Sequence, residues 1–215
     1  MTFTIVFFGW IFSLCLHEFS HALVAYLGGD HTVREKGYLT FNPLKYTHPL
    51  LSIVLPLLIL MMGGIGLPGG AVYIETWRIR SRWWRSAMSL AGPAANLLVA
   101  IVLAMILRFS PVENSGIWPG ISFLLVLQIS AVMFNLIPLP PFDGYNALEP
   151  FLNPVIRMQM DRLRGIAIWI ILLAFWFLPF VSNYFWQNVY NYSTILGVDW
   201  RIAMAGLERF RFWEL

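Results

Sequence analysis

Apolar residues dominate four long stretches of the chain, and polar residues gather between them. The first, residues 3–28, opens Phe3-Thr4-Ile5-Val6-Phe7-Phe8 and stays apolar until Gly28-Gly29-Asp30 end it. Residues 86–107, 117–138 and 165–182 are the other three. Each is long enough for the roughly 17–25 residues an α-helix uses to cross a bilayer, so the pattern predicts membrane-spanning helices. A fifth apolar stretch, 49–67, contains Pro49 and Pro56 and is trailed by Gly63-Gly64, Gly66, Pro68 and Gly69-Gly70. A broken helix or re-entrant hairpin suits it better than a straight span. Residues 183–215 are aromatic and mixed, and suit either a weak sixth span or an amphipathic surface helix.

The polar intervals add detail. Residues 30–48 carry Arg34, Glu35, Lys36 and Lys45; within them Tyr38-Leu39-Thr40-Phe41 alternates like a short strand before Asn42-Pro43. Ala71–Glu75 reads as a second short strand. Arg78, Arg80, Arg82 and Arg85 interleave with Trp77, Trp83 and Trp84, a membrane-interface composition. Residues 145–164, with Glu149, Arg157, Asp161, Arg162 and Arg164, read as interfacial. The predicted fold is therefore an all-α polytopic membrane protein of five to six membrane segments, one re-entrant, with short β strands in the first loop.

Composition narrows this. Hydrophobic residues make up 59% of the 215 and charged residues 12%, well outside a soluble domain. One integral membrane domain over 1–215 is the simplest organisation, with a core at 3–150 and a C-terminal span and tail at 151–215. The net charge of +3 comes from basic residues beside apolar spans, which argues against nucleic-acid binding. Cys15 is the only cysteine, so no intrachain disulfide forms. The first stretch lacks a basic leader and a small-residue cleavage site, and reads as a retained span.

The candidate chemistry lies inside that first span, at His17-Glu18-Phe19-Ser20-His21. On a helix, His17 and His21 stand one turn apart on one face and can both reach one tetrahedral Zn²⁺. Glu18 is rotated by about 100° from His17 and is placed to work on a water at the metal. Charged and imidazole groups in a membrane-length apolar run are costly, and a metal site gives them a purpose. A catalytic zinc takes a third protein ligand. His31, His48, Asp143 and Glu149 are candidates; Asp143 suits best, an acid just past an apolar span on a proline-rich segment and followed by Gly144. As an alternative, Asp143 is a helix N-cap. Asn96 and Asn135 are amides within spans; Asn96 reads as a helix–helix hydrogen bonder, while Asn135 suits that role and substrate binding equally. His48 adjoins the broken segment and is a further candidate for the active site.

Taken together, His17-Glu18-Phe19-Ser20-His21, Ala91-Gly92-Pro93-Ala94-Ala95-Asn96 and Asn135-Leu-Ile-Pro138-Leu-Pro140-Pro141-Phe-Asp143-Gly144 resemble the site-2 protease family of intramembrane zinc metalloproteases. Gly37-Tyr-Leu-Thr-Phe-Asn42-Pro43-Leu is similar to a loop of its compact prokaryotic members, and the resemblance covers roughly residues 10–150. It implies that His17, His21 and Asp143 bind one Zn²⁺ and that Glu18 is the general base. It also implies cleavage of substrate helices within the bilayer of a prokaryotic cytoplasmic membrane. The basic loops would place the active site nearer the cytoplasmic face. A zinc-bearing membrane protein without peptidase activity, such as an assembly subunit, is the competing reading; it has no need of Glu18. The sequence names neither the substrates nor an oligomeric state.

Overall fold

The computed structural model describes residues 1–42, 45, 72–109 and 114–211. Among these, every regular element is helical. Helix α1 spans Thr2–Gly28. Its end is fixed by Gly29, in the left-handed region at φ 118°, with Gly29 N–H donating to the Tyr26 carbonyl and Asp30 N–H to that of Ala25. This is the glycine-dependent closure expected at a helix C-terminus. A short helix, α2, follows at Thr32–Glu35. Helix α3, Arg82–Arg108, starts where Ser81 Oγ accepts from Trp84 N–H, and contains Pro93. Helix α4 is Trp118–Asn135, with Pro119 in its first turn. Then come α5 (Asp143–Leu148), α6 (Pro154–Leu163), α7 (Ala167–Phe177), α8 (Pro179–Ile195) and α9 (Trp200–Phe210).

Small residues let α1 and α4 lie close together and parallel. Gly120 packs against Thr2 and Ile5, Gly9 against Leu124, and Gln128 Nε2 donates to Ser13 Oγ at 3.0 Å. Val6 and Trp10 of α1 bury against Phe123, Leu124 and Leu127 of α4. Helix α3 runs antiparallel to α1: Gly28 meets Trp84, His21 meets Met88, and His17 meets Asn96. The outer faces expose Phe8, Phe12, Leu98, Met105, Trp169 and Trp176. Apolar surface of that extent is stable against lipid rather than water.

Two sequence expectations need correction. Neither Tyr38–Phe41 nor Val72–Glu75 forms a strand; no strand occurs among the described residues. After Gly37, at φ 75°, the chain bends, and Phe41 stacks on Phe19 of α1 with ring centroids 4.8 Å apart. The alternating apolar positions serve helix packing instead of a ladder. Among the described residues, 72–75 have no ladder partner. The expected span at 165–182 changes too. Among the described residues, three helices, Thr2–Gly28, Arg82–Arg108 and Trp118–Asn135, are long and apolar enough to cross a bilayer. The stretch expected as one span at 165–182 is broken: α7 and α8 meet at an angle of 92°, where Pro179 cannot continue the helix. Counting that pair as one span gives four among the described residues. The 49–67 segment and His48 lie outside the described residues. In the tail, α9 buries Ile202, Ala203, Gly206 and Phe210, and Gly206 sits on Pro119 and Phe123 of α4.

Both flanks of the 46–71 interval lie at the C-terminal end of α1. Arg80 N–H donates to the Gly28 carbonyl at 2.9 Å, and Lys36 Nζ lies 3.0 Å from Glu75 Oε1. Arg108 ends α3 at the opposite end, where Arg209 donates to the Asn114 carbonyl. In a Cys15→Ser background, Arg34→Cys and Arg80→Cys should therefore react with a membrane-impermeant thiol reagent from one side, and Asn114→Cys from the other. Opposite sidedness for positions 34 and 80 would contradict the arrangement.

Candidate metal centre and active site

The parallel pairing of α1 with α4 decides where the site forms. It brings the end of α4 level with the middle of α1, so the chain after Asn135 turns beside His17 and His21. Residues 136–142 are non-helical, and Asp143 opens α5 pointing back at the two histidines. His17 Nε2 lies 3.3 Å from Asp143 Oδ2, His21 Nε2 lies 3.4 Å from the same oxygen, and the two Nε2 atoms are 3.0 Å apart. Both histidines are buried, at 5% and 7% exposure.

Each imidazole is held by its other nitrogen. His17 Nδ1–H donates to Asn96 Oδ1 at 2.8 Å, and His21 Nδ1–H to the Met88 carbonyl at 2.7 Å. With the proton on Nδ1, each Nε2 carries a lone pair, and the two lone pairs face one point shared with the Asp143 carboxylate. Such a group is repulsive unless a cation sits in it. A tetrahedral Zn²⁺ with ligands at about 2.0–2.1 Å places ligand atoms about 3.3 Å from one another. The three observed separations of 3.0, 3.3 and 3.4 Å match that geometry. Among the described residues, His17, His21 and Asp143 form a group able to hold a metal.

Two glycines make this convergence possible. A Cβ on Gly92 would lie 2.3 Å from His21 Nε2 and 2.5 Å from His17 Nε2. A Cβ on Gly144 would lie 2.3 Å from the Leu136 carbonyl oxygen. Glu18, 4% exposed, sits beside the group and lines the same cleft as Val72. The centre opens into a cleft of about 920 Å³. His17, Glu18, His21 and Asp143 line it, together with Val72, Tyr73, Ile74, Asn135 and a charged rim of Arg85, Glu149, Arg157, Asp161 and Arg164.

The other sequence candidates sort accordingly. Glu149 borders the cleft but pairs with Arg85 and Arg157 rather than with the histidines. His31 immediately precedes α2 and packs its ring against Tyr26, with centroids 4.9 Å apart. Asn135 lines the cleft while its Nδ2 donates back to the Ala131 carbonyl at 3.0 Å. Asn96 does make an interhelical hydrogen bond, but its partner is His17, so it orients that imidazole rather than only joining helices. The sequence reading missed the Met88 carbonyl, and it took Gly92-Pro93 as a close approach of helices without seeing that the histidine pair is what comes close. The Gly92-Pro93 pair was the available signal, because a small residue beside a helix proline marks a close approach.

The sequence profile of Peptidase family M50 matches residues 3–114. Rip2 of Mycolicibacterium smegmatis, which carries the name of a zinc metalloprotease, is 46% identical over 215 residues, 99% of this chain and 82% of that protein. Rip2 of Mycobacterium tuberculosis is 43% identical over the same shares. YwhC of Bacillus subtilis, named likewise, is 29% identical over 184 residues, covering 82% of this chain and 81% of its own. No solved structure matches the chain.

Proposed function

The chain belongs to peptidase family M50 and is an intramembrane zinc metalloprotease, and we propose that His17, His21 and Asp143 hold its single Zn²⁺ while Glu18 is the general base. The observation that carries this assignment is the convergence of two Nε2 atoms and one carboxylate oxygen at tetrahedral-zinc separations. When bound, the metal supplies Lewis acidity toward a water and the peptide carbonyl. Glu18 takes the proton of that water and passes it to the departing amine nitrogen. Asn96 and Met88 keep both Nε2 lone pairs aimed at the metal position. Asn135, at the cleft wall, is the proposed contact for the substrate backbone.

The substrates are transmembrane helices of other membrane proteins. A scissile amide inside a helix is hydrogen-bonded and shielded, and in lipid its release is costly. The cleft answers that requirement with a polar rim and the backbone of residues 72–75 beside the centre. The chain acts as one domain over 1–215 in a prokaryotic cytoplasmic membrane, with the centre nearer the cytoplasmic face. Charge supports this orientation: Arg34, Lys36, Arg78, Arg80, Arg82 and Arg85 gather at the site end, while Arg108 and Arg209 lie at the other.

Metal content and cleavage test the ligand set together. His17→Ala, His21→Ala and Asp143→Ala should each lose zinc and cleavage of co-reconstituted single-span substrates, whereas Glu149→Ala should keep its zinc. Full zinc in Asp143→Ala with loss in Glu149→Ala would overturn the assignment.

A further inference from the structure

We propose that Asp30 is a positioning residue of this protease: its buried carboxylate holds the Val72–Glu75 segment in the wall of the cleft that Glu18 also lines. The inference rests on the reading of His17, Glu18, His21 and Asp143 as the reaction centre. Val72, Tyr73 and Ile74 line the same cleft as Glu18. Yet no sheet ladder fixes this segment among the described residues. Side chains at the end of α1 hold it instead. Asp30, 0% exposed, takes Glu75 N–H on Oδ2 at 2.7 Å. Its Oδ1 accepts from Thr32 N–H at 3.1 Å and from Thr32 Oγ at 2.6 Å. Lys36 Nζ adds a longer bond to the Tyr73 carbonyl at 3.3 Å.

The division of labour between the two oxygens identifies the residue type. One oxygen closes the turn after α1 and the other reaches 45 residues along the chain to the cleft wall. An asparagine offers one acceptor, so it can serve the turn or the wall but not both. A buried carboxylate is costly and is retained where each oxygen has a donor. Here all three donors are neutral N–H or O–H groups. Asp30 sits beyond the last turn of α1, well away from the metal-binding triad, so its loss leaves the ligands intact.

The test compares variants in the full chain reconstituted with a cleavable single-span substrate. Asp30→Asn should raise KM about tenfold, the scale of one lost buried hydrogen bond, with zinc still at one per chain. Thr32→Val removes only a bond within the turn and should keep the wild-type KM. Glu75→Pro deletes the N–H at a residue whose φ of −86° is close to proline's own range, and should reproduce the Asp30→Asn effect beyond that of Glu75→Ala. A loss of folded protein lowers kcat and zinc together and does not raise KM. Amide exchange at Glu75 should quicken about tenfold in Asp30→Asn, and that readout stands whether or not a substrate is cleaved. Unchanged KM and unchanged exchange in Asp30→Asn, or an equal KM rise in Thr32→Val, would overturn the proposal. Wild type that cleaves no substrate, with fast exchange still appearing in Asp30→Asn, would sink the protease assignment of the centre and leave the tie itself standing.

Discussion

Glu18→Gln should lower single-turnover cleavage by about 10²–10⁴-fold, the range that a positioned general base contributes, while bound zinc stays at one per chain. The residue follows His17 directly on α1, so its side chain leaves the helix about 100° away from the ligand face. It is 4% exposed and sits beside the triad rather than among its three converging atoms. Glutamine keeps the length, the volume and one acceptor oxygen. It cannot take a proton at neutral pH, and that is the capacity the reaction needs. His17 and His21 keep their orientation, because Asn96 and the Met88 carbonyl hold them through Nδ1. Zinc by elemental analysis and product formation in proteoliposomes would be measured on the same preparation. Cleavage at the wild-type rate would remove Glu18 from the chemistry. Zinc lost in parallel with activity would make it part of the metal shell instead.

How much of this was legible beforehand depends on the range of each interaction. His17, Glu18 and His21 are close in sequence, so helix periodicity alone places them on neighbouring faces. Asp143 could be singled out because it follows Pro138, Pro140 and Pro141 at the end of a span, where an acid is costly unless something binds it. The first span, expected at 3–28, forms at Thr2–Gly28 because Gly29 terminates it by a local rule. Interactions between distant segments were not legible in the same way. Asn96 looked like any interhelical amide because its partner, His17, is 79 residues away. Asp30 looked like part of a terminating turn, since its bond to Glu75 spans 45 residues. The first-loop strands failed for a related reason. Tyr38–Phe41 has strand-like alternation, but a strand needs an available edge, and stacking of Phe41 on Phe19 and Phe12 uses those side chains against α1. Pro179 was visible in the sequence, yet the 92° turn it permits depends on what packs around it. Phe175 and Phe185, on the two sides of the break, pack edge to face at 5.1 Å and both meet Phe134.

Gly92→Ala should abolish zinc binding and cleavage while leaving the chain folded. The added methyl carbon would sit 2.3 Å from His21 Nε2, 2.5 Å from His17 Nε2 and 2.7 Å from His17 Cδ2. Separations below 3.0 Å are not tolerated, so something must move. The imidazoles cannot swing away freely. His17 is fixed through Nδ1 by Asn96 and His21 through Nδ1 by Met88, and leaving either bond unmade in a buried site costs about 1–3 kcal/mol. Retreat of α3 does not relieve the clash either, because Asn96 and Met88 lie on the same helix as Gly92 and would withdraw with it. The methyl also takes the space next to both Nε2 atoms, where the metal must sit. Contacts elsewhere along the α1–α3 pair, such as Gly28 against Trp84 and Ile79, are untouched and should preserve the helical content. Gly165→Ala is the control, since a Cβ there meets nothing within 4 Å. The comparison reads zinc per chain, cleavage, circular dichroism and elution in detergent for both variants. A Gly92→Ala protein that binds one zinc and cleaves normally would show that the histidines do not meet the metal through Nε2, and the centre as drawn from His17, His21 and Asp143 would have to be abandoned.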